Sequence, residues 1–289
     1  MNVTRTDPAR SRYADAPQAA DHTIDQQWEA YSPAEHGRWD RLFARSREVL
    51  EGRACAPFLD AVAKLRLSSG GIPHMRRLSD RLERMTGWRV VAVRGLVPDE
   101  VFFDHLANRR FPAGAFIRSE AEMDYIEEPD VFHDIFGHVP LLADPTYAAY
   151  LEAYGRAGAR AMARGRLKNL ARLYWYTVEF GLIEEAGALR LFGAGIMSST
   201  AESMFALEDP SPHRVRFDLG RVMRTDYIID DFQQVYFVID SFEALLAECE
   251  RDFGPLYDRL AEAAAIPPDR LIDSDCVLHR GTLDYFRKT

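Results

Sequence analysis

Apolar residues recur at every third or fourth position through most of this chain, and this periodicity restricts the fold more than any other feature. The spacing runs from Trp39 to Leu50 and again from Met75 to Met85, as is typical of amphipathic helices. Asp144-Pro145 predicts another helix start, with a capping residue followed by a first-turn proline, and Ser199–Glu202 has the pattern of a capping box. The chain is therefore predicted to be mainly helical.

Three short segments are the candidates for β-strands. Trp88–Gly95 is rich in β-branched residues and follows Gly87, which is suited to end a helix. Phe111–Arg118 and Val235–Ile239 are the other two. The predicted fold class is mainly α with a few short β-strands.

The length of 289 residues, 47% of them hydrophobic, allows one large domain with a substantial core. Charge and proline break every apolar stretch in residues 1–21, so we expect a disordered N-terminal tail there. No repeat or linker interrupts the remainder. Residues 22–289 are predicted to form a single domain.

Charge and cysteine usage exclude several classes of protein. The formal net charge of −9 repels phosphate backbones and anionic headgroups, so neither nucleic acid nor a membrane is expected as a partner. Cys55, Cys249 and Cys276 form no CxxC pair, which fits neither a disulfide framework nor a sulfur-ligated zinc site. With no signal-peptide core and no membrane-length apolar run, the expected location is the cytoplasm.

The segment EEPDVFHDIFGHVPLL carries two histidines, His133 and His138, five positions apart. On an uninterrupted α-helix they would point about 140° apart, too far to share a metal comfortably. Pro129 suits the first helical position, Gly137 a position just past a helix end, and Pro140 prevents resumption. We therefore predict a short helix that ends before His138, after which the chain turns back toward His133.

A carboxylate further along the chain completes a candidate metal site. Glu179, in LARLYWYTVEFGLIEE, shares a predicted helix face with Trp175, and a carboxylate on an apolar face needs a cation, a proton or hydrogen bonds. Two histidines and one carboxylate on one side of a metal are the ligand set of non-haem Fe(II) oxygenases. Ordinary histidines and a Glu179–Arg172 ion pair are the alternatives. The residues alone leave an iron oxygenase and a zinc hydrolase close to even, and a non-catalytic metal- or ligand-binding helical domain also stays open.

Four blocks of the sequence carry a family resemblance: EPDVFHDIFGHVPLL, LYWYTVEFGL, FGAGIMSS and DDFQQVYFVIDSF. In order and approximate spacing they resemble the catalytic domain of the biopterin-dependent aromatic amino acid hydroxylases, in particular the short bacterial members. The resemblance covers most of the chain, from near His22 to about Pro255.

The resemblance implies a catalytic-domain fold in which His133, His138 and Glu179 hold Fe(II). It also implies hydroxylation of an aromatic amino acid with dioxygen and tetrahydrobiopterin as cosubstrate and cofactor. L-Phenylalanine, converted to L-tyrosine, is the expected substrate.

The resemblance further assigns residues to the amino acid. Arg118 matches an arginine that grips the substrate carboxylate, for which a planar guanidinium is suited. Trp175 and Phe180 match the aromatic wall of the substrate pocket, and Ser198 matches a serine beside the first iron histidine. From the residues alone, Arg118 would be a surface arginine and the aromatic residues ordinary core.

The resemblance also implies a pterin site beside the metal. Gly95, Leu96 and Val97 match the family's pterin loop, and Phe102 matches an aromatic platform on which a flat heterocycle can stack. Asp134 stands where animal members have a glutamate near the pterin.

Departures from the family pattern concern assembly and substrate choice. Animal members carry a regulatory domain and a tetramerisation helix for which this chain has no room, so a monomer is expected. Ile126 replaces a hydroxyl-bearing residue of the pocket, whereas Trp175 and the apolar Ile229 favour phenylalanine over tryptophan or tyrosine, the alternatives within the family. A zinc hydrolase is disfavoured because Asp134 stands where HExxH enzymes place glutamate.

Overall fold

A computed structural model describes residues 12–287 of the chain. The α-helices are α1 (Pro33–Leu50), α2 (Ala56–Lys64), α3 (Met75–Thr86), α4 (Asp99–Ala107), α5 (Pro145–Ala163), α6 (Leu167–Tyr174), α7 (Ala194–Met197), α8 (Thr200–Glu208), α9 (Leu219–Val222), α10 (Phe242–Cys249) and α11 (Gly254–Ala261). Two segments are π-helices, His133–His138 and Trp175–Glu179, and three are short 3₁₀ turns, Trp28–Ala30, Glu120–Glu122 and Pro140–Ala143. The strands are β1 (Arg89–Val93), β2 (Arg110–Gly114), β3 (Leu182–Glu185), β4 (Ala188–Leu191), β5 (His213–Arg216), β6 (Val235–Ile239) and β7 (Val277–His279). The predicted fold class, mainly helical with little sheet, is confirmed.

A five-stranded sheet runs in the order β4-β3-β6-β5-β7. The central strand β6 is parallel to β3 and β5, whereas β4 and β7 are antiparallel edges. All five residues of β6 are buried, as expected of an apolar run covered on both faces. The predicted strand Val235–Ile239 is confirmed with its bounds.

A separate parallel pair, β1 and β2, is joined through α4. Val93 pairs with Gly114 at its end, and β1 lies within the predicted strand Trp88–Gly95. The strand β2 is shorter than the predicted Phe111–Arg118, because backbone pairing with β1 stops just beyond Gly114. The β1–α4 loop therefore emerges beside the end of β2.

The predicted helix signals have mixed outcomes. Gly87 ends α3 with a φ of 77°, and Asp144 caps α5 by accepting from the backbone N–H of Thr146 and Tyr147. Ser199 caps α8 by accepting from the N–H of Glu202. A full capping box also requires the Glu202 carboxylate to accept from the N–H of Ser199, and this part of the prediction is wrong. The carboxylate accepts instead from the hydroxyl of Tyr236 and the N–H of Gln233.

The described part of the predicted N-terminal tail is packed rather than disordered. Tyr13 is 1% exposed, its hydroxyl donates to the carbonyl of Gln26, and its ring lies 6.4 Å from that of Tyr31. Arg12 forms an ion pair with the buried Glu35 of α1. Arg12 and Tyr13 were missed in the sequence because charged residues and prolines interrupt the apolar pattern around them. Residues 1–11 lie outside the described part of the chain. No helix among the described residues is both long and apolar enough to cross a bilayer.

Candidate metal centre and adjoining cavity

The two histidines lie on one continuous π-helix. In a π-helix the backbone hydrogen bonds join residues five apart, so His133 and His138 come to the same side, and their Nε2 atoms are 3.0 Å apart. The prediction of a helix ending at Gly137 was wrong. A Cβ at Gly137 would lie 2.9 Å from the carbonyl oxygen of Ala194, so this glycine is required for close packing against α7.

Glu179 ends the second π-helix and faces the same point. Its Oε1 lies 3.2 Å from Nε2 of His138, and its Oε2 lies 3.6 Å from Nε2 of His133. Gly193 passes so close to the Glu179 backbone that a Cβ would come within 2.3 Å of its carbonyl oxygen. Arg172, considered above as its ion-pair partner, pairs with Asp226 instead.

The three side chains have the dimensions of a metal site. An ion about 2.1 Å from each donor, with the donors at right angles, would hold them about 3.0 Å apart, close to the 3.0, 3.2 and 3.6 Å observed. Asp134 also belongs to the cluster, with a ligand atom within 4.8 Å of those of the histidines. Its Oδ2, however, accepts from the N–H of Gly114 at 2.7 Å. Glu179 is the better third ligand because both of its oxygens face the imidazoles.

Electrostatics in this buried cluster favour a cation. Burial lowers the pKa of His133 to about 4, so its imidazole is neutral and available as a ligand at neutral pH. Burial opposes ionisation of Glu179 and His138, but their mutual attraction outweighs it, lowering the pKa of Glu179 and raising that of His138. Burial raises the pKa of Asp134 to about 7. The anionic group that stays ionised is therefore Glu179.

Ser198 lies behind the first histidine, at the end of α7. Its Oγ is 2.9 Å from Nδ1 of His133, the ring nitrogen that faces away from the cluster. Such outer hydrogen bonds fix the tautomer and orientation of a ligand imidazole.

A cavity of about 470 Å³ opens onto the cluster. The sequence-predicted substrate residues all line it, together with two of the metal-facing side chains: Arg118, Trp175, Phe180, Ser198, His133 and Glu179. Ile126 and Ile229 also line it, and Ile229 is 65% exposed. The cavity thus joins a metal-sized donor set to aromatic and cationic walls.

Arg118 is a buried residue, 4% exposed, rather than a surface arginine. Its Nε and Nη2 donate to the two carboxylate oxygens of Asp130, each at 2.9 Å, and its guanidinium lies over the ring of Phe132. The positive charge of Arg118 lowers the pKa of Asp130 against the opposing effect of burial. Asp130 was missed by the sequence reasoning, although an aspartate directly after Pro129 in a predicted site block was a usable signal.

The aromatic wall is fixed by stacking and by one hydrogen bond. The indole of Trp175 stacks on Tyr227 at 4.3 Å and lies 4.8 Å from Phe180. Its Nε1 donates to Oε1 of Gln233 at 2.9 Å. Neither Tyr227 nor Gln233 was singled out from the sequence.

The predicted pterin residues lie away from this cavity lining. Gly95, Leu96 and Val97 form the loop after β1, where Leu96 is 81% exposed, and the ring of Phe102 on α4 lies 5.6 Å from Tyr174. Tyr174 in turn stacks with His138 at 6.2 Å. Asp134 reaches the same region through its bond to Gly114, the residue that pairs with Val93 of β1. Glu128, missed from the sequence, approaches Gly95 so closely that a Cβ there would lie 2.4 Å from its Oε1.

The sequence is similar to bacterial enzymes over most of its length. It is 59% identical over 265 residues to phenylalanine-4-hydroxylase of Caulobacter vibrioides, covering 92% of this chain and 90% of the relative. It is 49% identical over 263 residues to phenylalanine-4-hydroxylase of Chromobacterium violaceum, covering 91% and 89%.

The fold is similar to solved structures of the Chromobacterium violaceum phenylalanine hydroxylase. The structure bound to cobalt has a TM-score of 0.91 at 47% identity and covers 94% of this chain and 98% of that one. The structure with bound oxidized Fe(III) has a TM-score of 0.91 at 48% identity and covers 94% and 99%. Residues 9–259 match the family model described as biopterin-dependent aromatic amino acid hydroxylase, a span that begins before His22. The chain belongs to the biopterin-dependent aromatic amino acid hydroxylases.

Proposed function

We propose that this protein is a phenylalanine 4-monooxygenase, which hydroxylates L-phenylalanine to L-tyrosine with dioxygen and tetrahydrobiopterin at a non-haem Fe(II) centre. The observation that carries the proposal is the convergence of His133, His138 and Glu179 on one point at the end of a cavity walled by Arg118 and Trp175. The names of the relatives that match most of the chain support the same reaction.

His133, His138 and Glu179 are the proposed iron ligands. When bound, iron and the reduced pterin supply the activation of dioxygen, which side chains alone do not provide. Binding through Nε2 places the proton of His133 on Nδ1, where it is donated to Oγ of Ser198. Ser198 thereby holds the imidazole in the orientation that points its lone pair into the cluster.

Arg118 is the proposed partner of the substrate carboxylate. Asp130 holds its guanidinium in place by two parallel hydrogen bonds and leaves Nη1 without a bond to Asp130. A fixed guanidinium binds a carboxylate with little loss of side-chain entropy. The substrate ring is then directed along the wall formed by Trp175 and Phe180, toward Glu179 and His133.

The pterin is proposed to bind on the loop Gly95-Leu96-Val97 with Phe102 and Asp134 beside it. Support comes from the exposed loop after β1 and from the ring contacts that run from Phe102 through Tyr174 to His138. The pterin would then approach the cluster from the side of Tyr174 and His138.

Phenylalanine is favoured over tryptophan and tyrosine by the wall of the cavity. Trp175 contacts the rings of Tyr227 and Phe180 and is bonded at Nε1, so it has little freedom to move aside for an indole. Ile126 and Ile229 present no charged or hydroxyl group to a substrate phenol. Because such pocket differences are worth only about 1–3 kcal/mol, slow turnover of tryptophan is compatible with this assignment.

The protein is further proposed to be a cytoplasmic monomer with no nucleic-acid or membrane partner. The described cysteines are all free, as suits a reducing compartment, and the net charge of −9 opposes binding to phosphate. The large exposed hydrophobic side chains of the described part come from seven different segments rather than one: Leu59, Met85, Leu96, Tyr125, Met204, Ile229, and Leu278 with Tyr285.

The decisive experiment is dioxygen uptake by purified, Fe(II)-loaded protein with tetrahydrobiopterin, comparing phenylalanine, tyrosine and tryptophan and identifying the product. We expect tyrosine from phenylalanine, in step with oxygen and pterin consumed. No hydroxylated product from any of the three, with iron bound, would contradict the proposal. A zinc hydrolase using the same residues would need neither oxygen nor pterin.

A ligand variant tests the assignment of the centre. Loss of an outer partner typically costs 10- to 100-fold in metal affinity or activity, so Glu179→Ala should lower both iron affinity and turnover by more than about 100-fold. The matched control is Glu184→Ala, an exposed carboxylate five positions on that pairs with Arg216. Full activity in the Glu179→Ala variant would show that Glu179 is not a metal ligand.

A further inference from the structure

The last described segment, residues 277–287, lies beyond the span 9–259 that matches the family model and packs beside the cavity. We call residues 277–287 the tail segment and Ile229–Phe232 the rim loop, all four residues of which line the cavity. We propose that Tyr285 of the tail segment is a positioning residue, which holds the rim loop and, through Gln233, the indole of Trp175, and so sets the affinity for the amino acid. The inference rests on the proposed function.

The tail segment is anchored by its backbone. The strand β7 pairs with β5, and the next residues donate N–H groups to Nδ1 of His213 from Gly281 and to the carbonyl of Pro210 from Thr282. Gly281 runs so close to the chain that a Cβ would come within 2.2 Å of the carbonyl oxygen of Ser211. The segment therefore has a defined path before it reaches the rim loop.

Tyr285 joins the tail segment to the rim loop by a hydrogen bond and by ring contacts. Its N–H donates to Oγ of Ser211 at 2.7 Å, and its hydroxyl donates to Oδ1 of Asp231 at 3.1 Å. Its ring lies 5.4 Å from Phe232 and 5.2 Å from Phe205, which are themselves stacked at 4.5 Å. Two of the four rim-loop residues are thus held from outside the cavity by one side chain.

Gln233 transmits this position to the aromatic wall. Its side-chain N–H group donates to the carbonyl oxygens of Asp231, at 3.2 Å, and Ile228, at 2.8 Å. Its Oε1 accepts from Nε1 of Trp175 at 2.9 Å. Gln233 is 1% exposed, so water does not readily replace these bonds. A displaced Asp231 would therefore shift the amide that fixes the indole.

The arrangement separates binding from chemistry. Tyr285 is 36% exposed and is not among the residues that line the cavity. The metal-facing side chains lie on the two π-helices. None of the tail-segment hydrogen bonds described above reaches either π-helix. Loss of the Tyr285 ring should loosen the rim loop and the indole but leave the metal cluster as it is. The expected signature is a change in KM for the amino acid with kcat preserved.

The test compares Tyr285→Ala and Tyr285→Phe with Leu278→Ala, a similarly exposed side chain on the same segment. With saturating tetrahydrobiopterin and iron, the alanine variant should raise KM for phenylalanine about 5- to 10-fold, as loss of an aromatic pair and a hydrogen bond implies. We expect kcat to stay within about twofold, Tyr285→Phe to recover most of the affinity, and Leu278→Ala to match the parent protein. An unchanged KM, or a fall in kcat alone, would overturn the proposal.

Amide hydrogen exchange gives a readout that does not depend on activity. In Tyr285→Ala, exchange should accelerate over residues 229–233 and stay unchanged over 133–138. If the parent protein does not hydroxylate phenylalanine, the proposed function fails, and the exchange result still decides whether Tyr285 positions the rim loop. Equal exchange in the parent and Tyr285→Ala would reject the positioning role.

Discussion

Glu202 is a carboxylic acid in the cavity wall that the metal centre does not use. It is 5% exposed, and its Oε1 accepts from the hydroxyl of Tyr236 and from the N–H of Gln233. Burial, with a further contribution from Asp231, raises its pKa to about 7 despite these hydrogen bonds. Near neutral pH this side chain is therefore close to half protonated.

The raised pKa makes the stability of the protein depend on pH. Between the ordinary glutamate pKa of 4.5 and about 7, folded Glu202 keeps a proton that the unfolded chain releases, so its contribution to the free energy of unfolding falls as pH rises through this window. Glu202→Gln removes this titration but keeps an oxygen for Tyr236. From pH 4.5 to pH 8, the variant should gain on the order of 3 kcal/mol relative to the parent protein.

Chemical denaturation of both proteins at several pH values measures this difference. Glu208→Gln on the same helix, where the carboxylate is 55% exposed and pairs with Arg53, serves as control and should show no such gain. Parallel stability curves for Glu202→Gln and the parent would show that Glu202 ionises normally.

At the scale of elements, two glycines let α5 lie directly against α4, the helix that carries Phe102. A Cβ at Gly158 would fall 2.0 Å from the ring of Phe103, and one at Gly155 would fall 2.4 Å from the backbone nitrogen of Ala107. Larger residues would push the two helices apart. The position of Phe102, and with it the proposed pterin platform, depends on this close approach.

The same substitution should have opposite effects in two helices. Gly158→Ala must displace a buried ring, so we expect it to destabilise the protein by about 1–3 kcal/mol. Gly37→Ala in α1 would meet only Arg41, at 3.9 Å, and should stabilise by roughly 0.5–1 kcal/mol through helix propensity. Thermal unfolding measures both changes. An increase in Tm for Gly158→Ala would mean that α4 and α5 separate at little cost.

Sequence patterns predicted helices at α1, α3, α5, α6 and α8 and the central strand, and failed where the backbone or the burial was unusual. No apolar period used for helices or strands corresponds to a π-helix, so the joint placement of His133 and His138 was attributed to a chain reversal. The strand β5, His213–Arg216, is largely buried although its sequence is polar. Arg214 can be buried there because its guanidinium donates to the carbonyl oxygens of Ala206 and Asp209. Ligand types and spacing pointed to the metal cluster; supporting residues such as Asp130 and Gln233 became visible only once the chain was folded.

At the scale of the whole molecule, both ends of the described chain lie on the body of the domain. Tyr13 is buried against Tyr31 at one end, and Tyr285 packs on Phe205 at the other. The exposed large hydrophobic side chains of the described residues are spread over seven segments of the chain rather than collected on one helix.

Sedimentation at neutral pH tests whether the protein is a monomer. With a mass of 32.9 kDa, the protein should sediment as one species of that size across a range of concentrations. A stable tetramer would contradict the proposed monomer and would require an interface built from the scattered hydrophobic residues.

The pair of π-helices also has a consequence for how this chain tolerates changes in length. Relative to an α-helix, a π-helical turn holds one additional residue, and here such a turn precedes Glu179 and another separates the histidines. Deleting a single residue within Trp175–Glu179 would let the segment close as a regular α-helical turn and leave the residues after it near their present direction, because the turn loses only its additional residue. These two turns are therefore places where the chain should accept the loss of one residue with the flanking helical residues in register, whereas the same deletion inside α5 would rotate every later residue of that helix by about 100°.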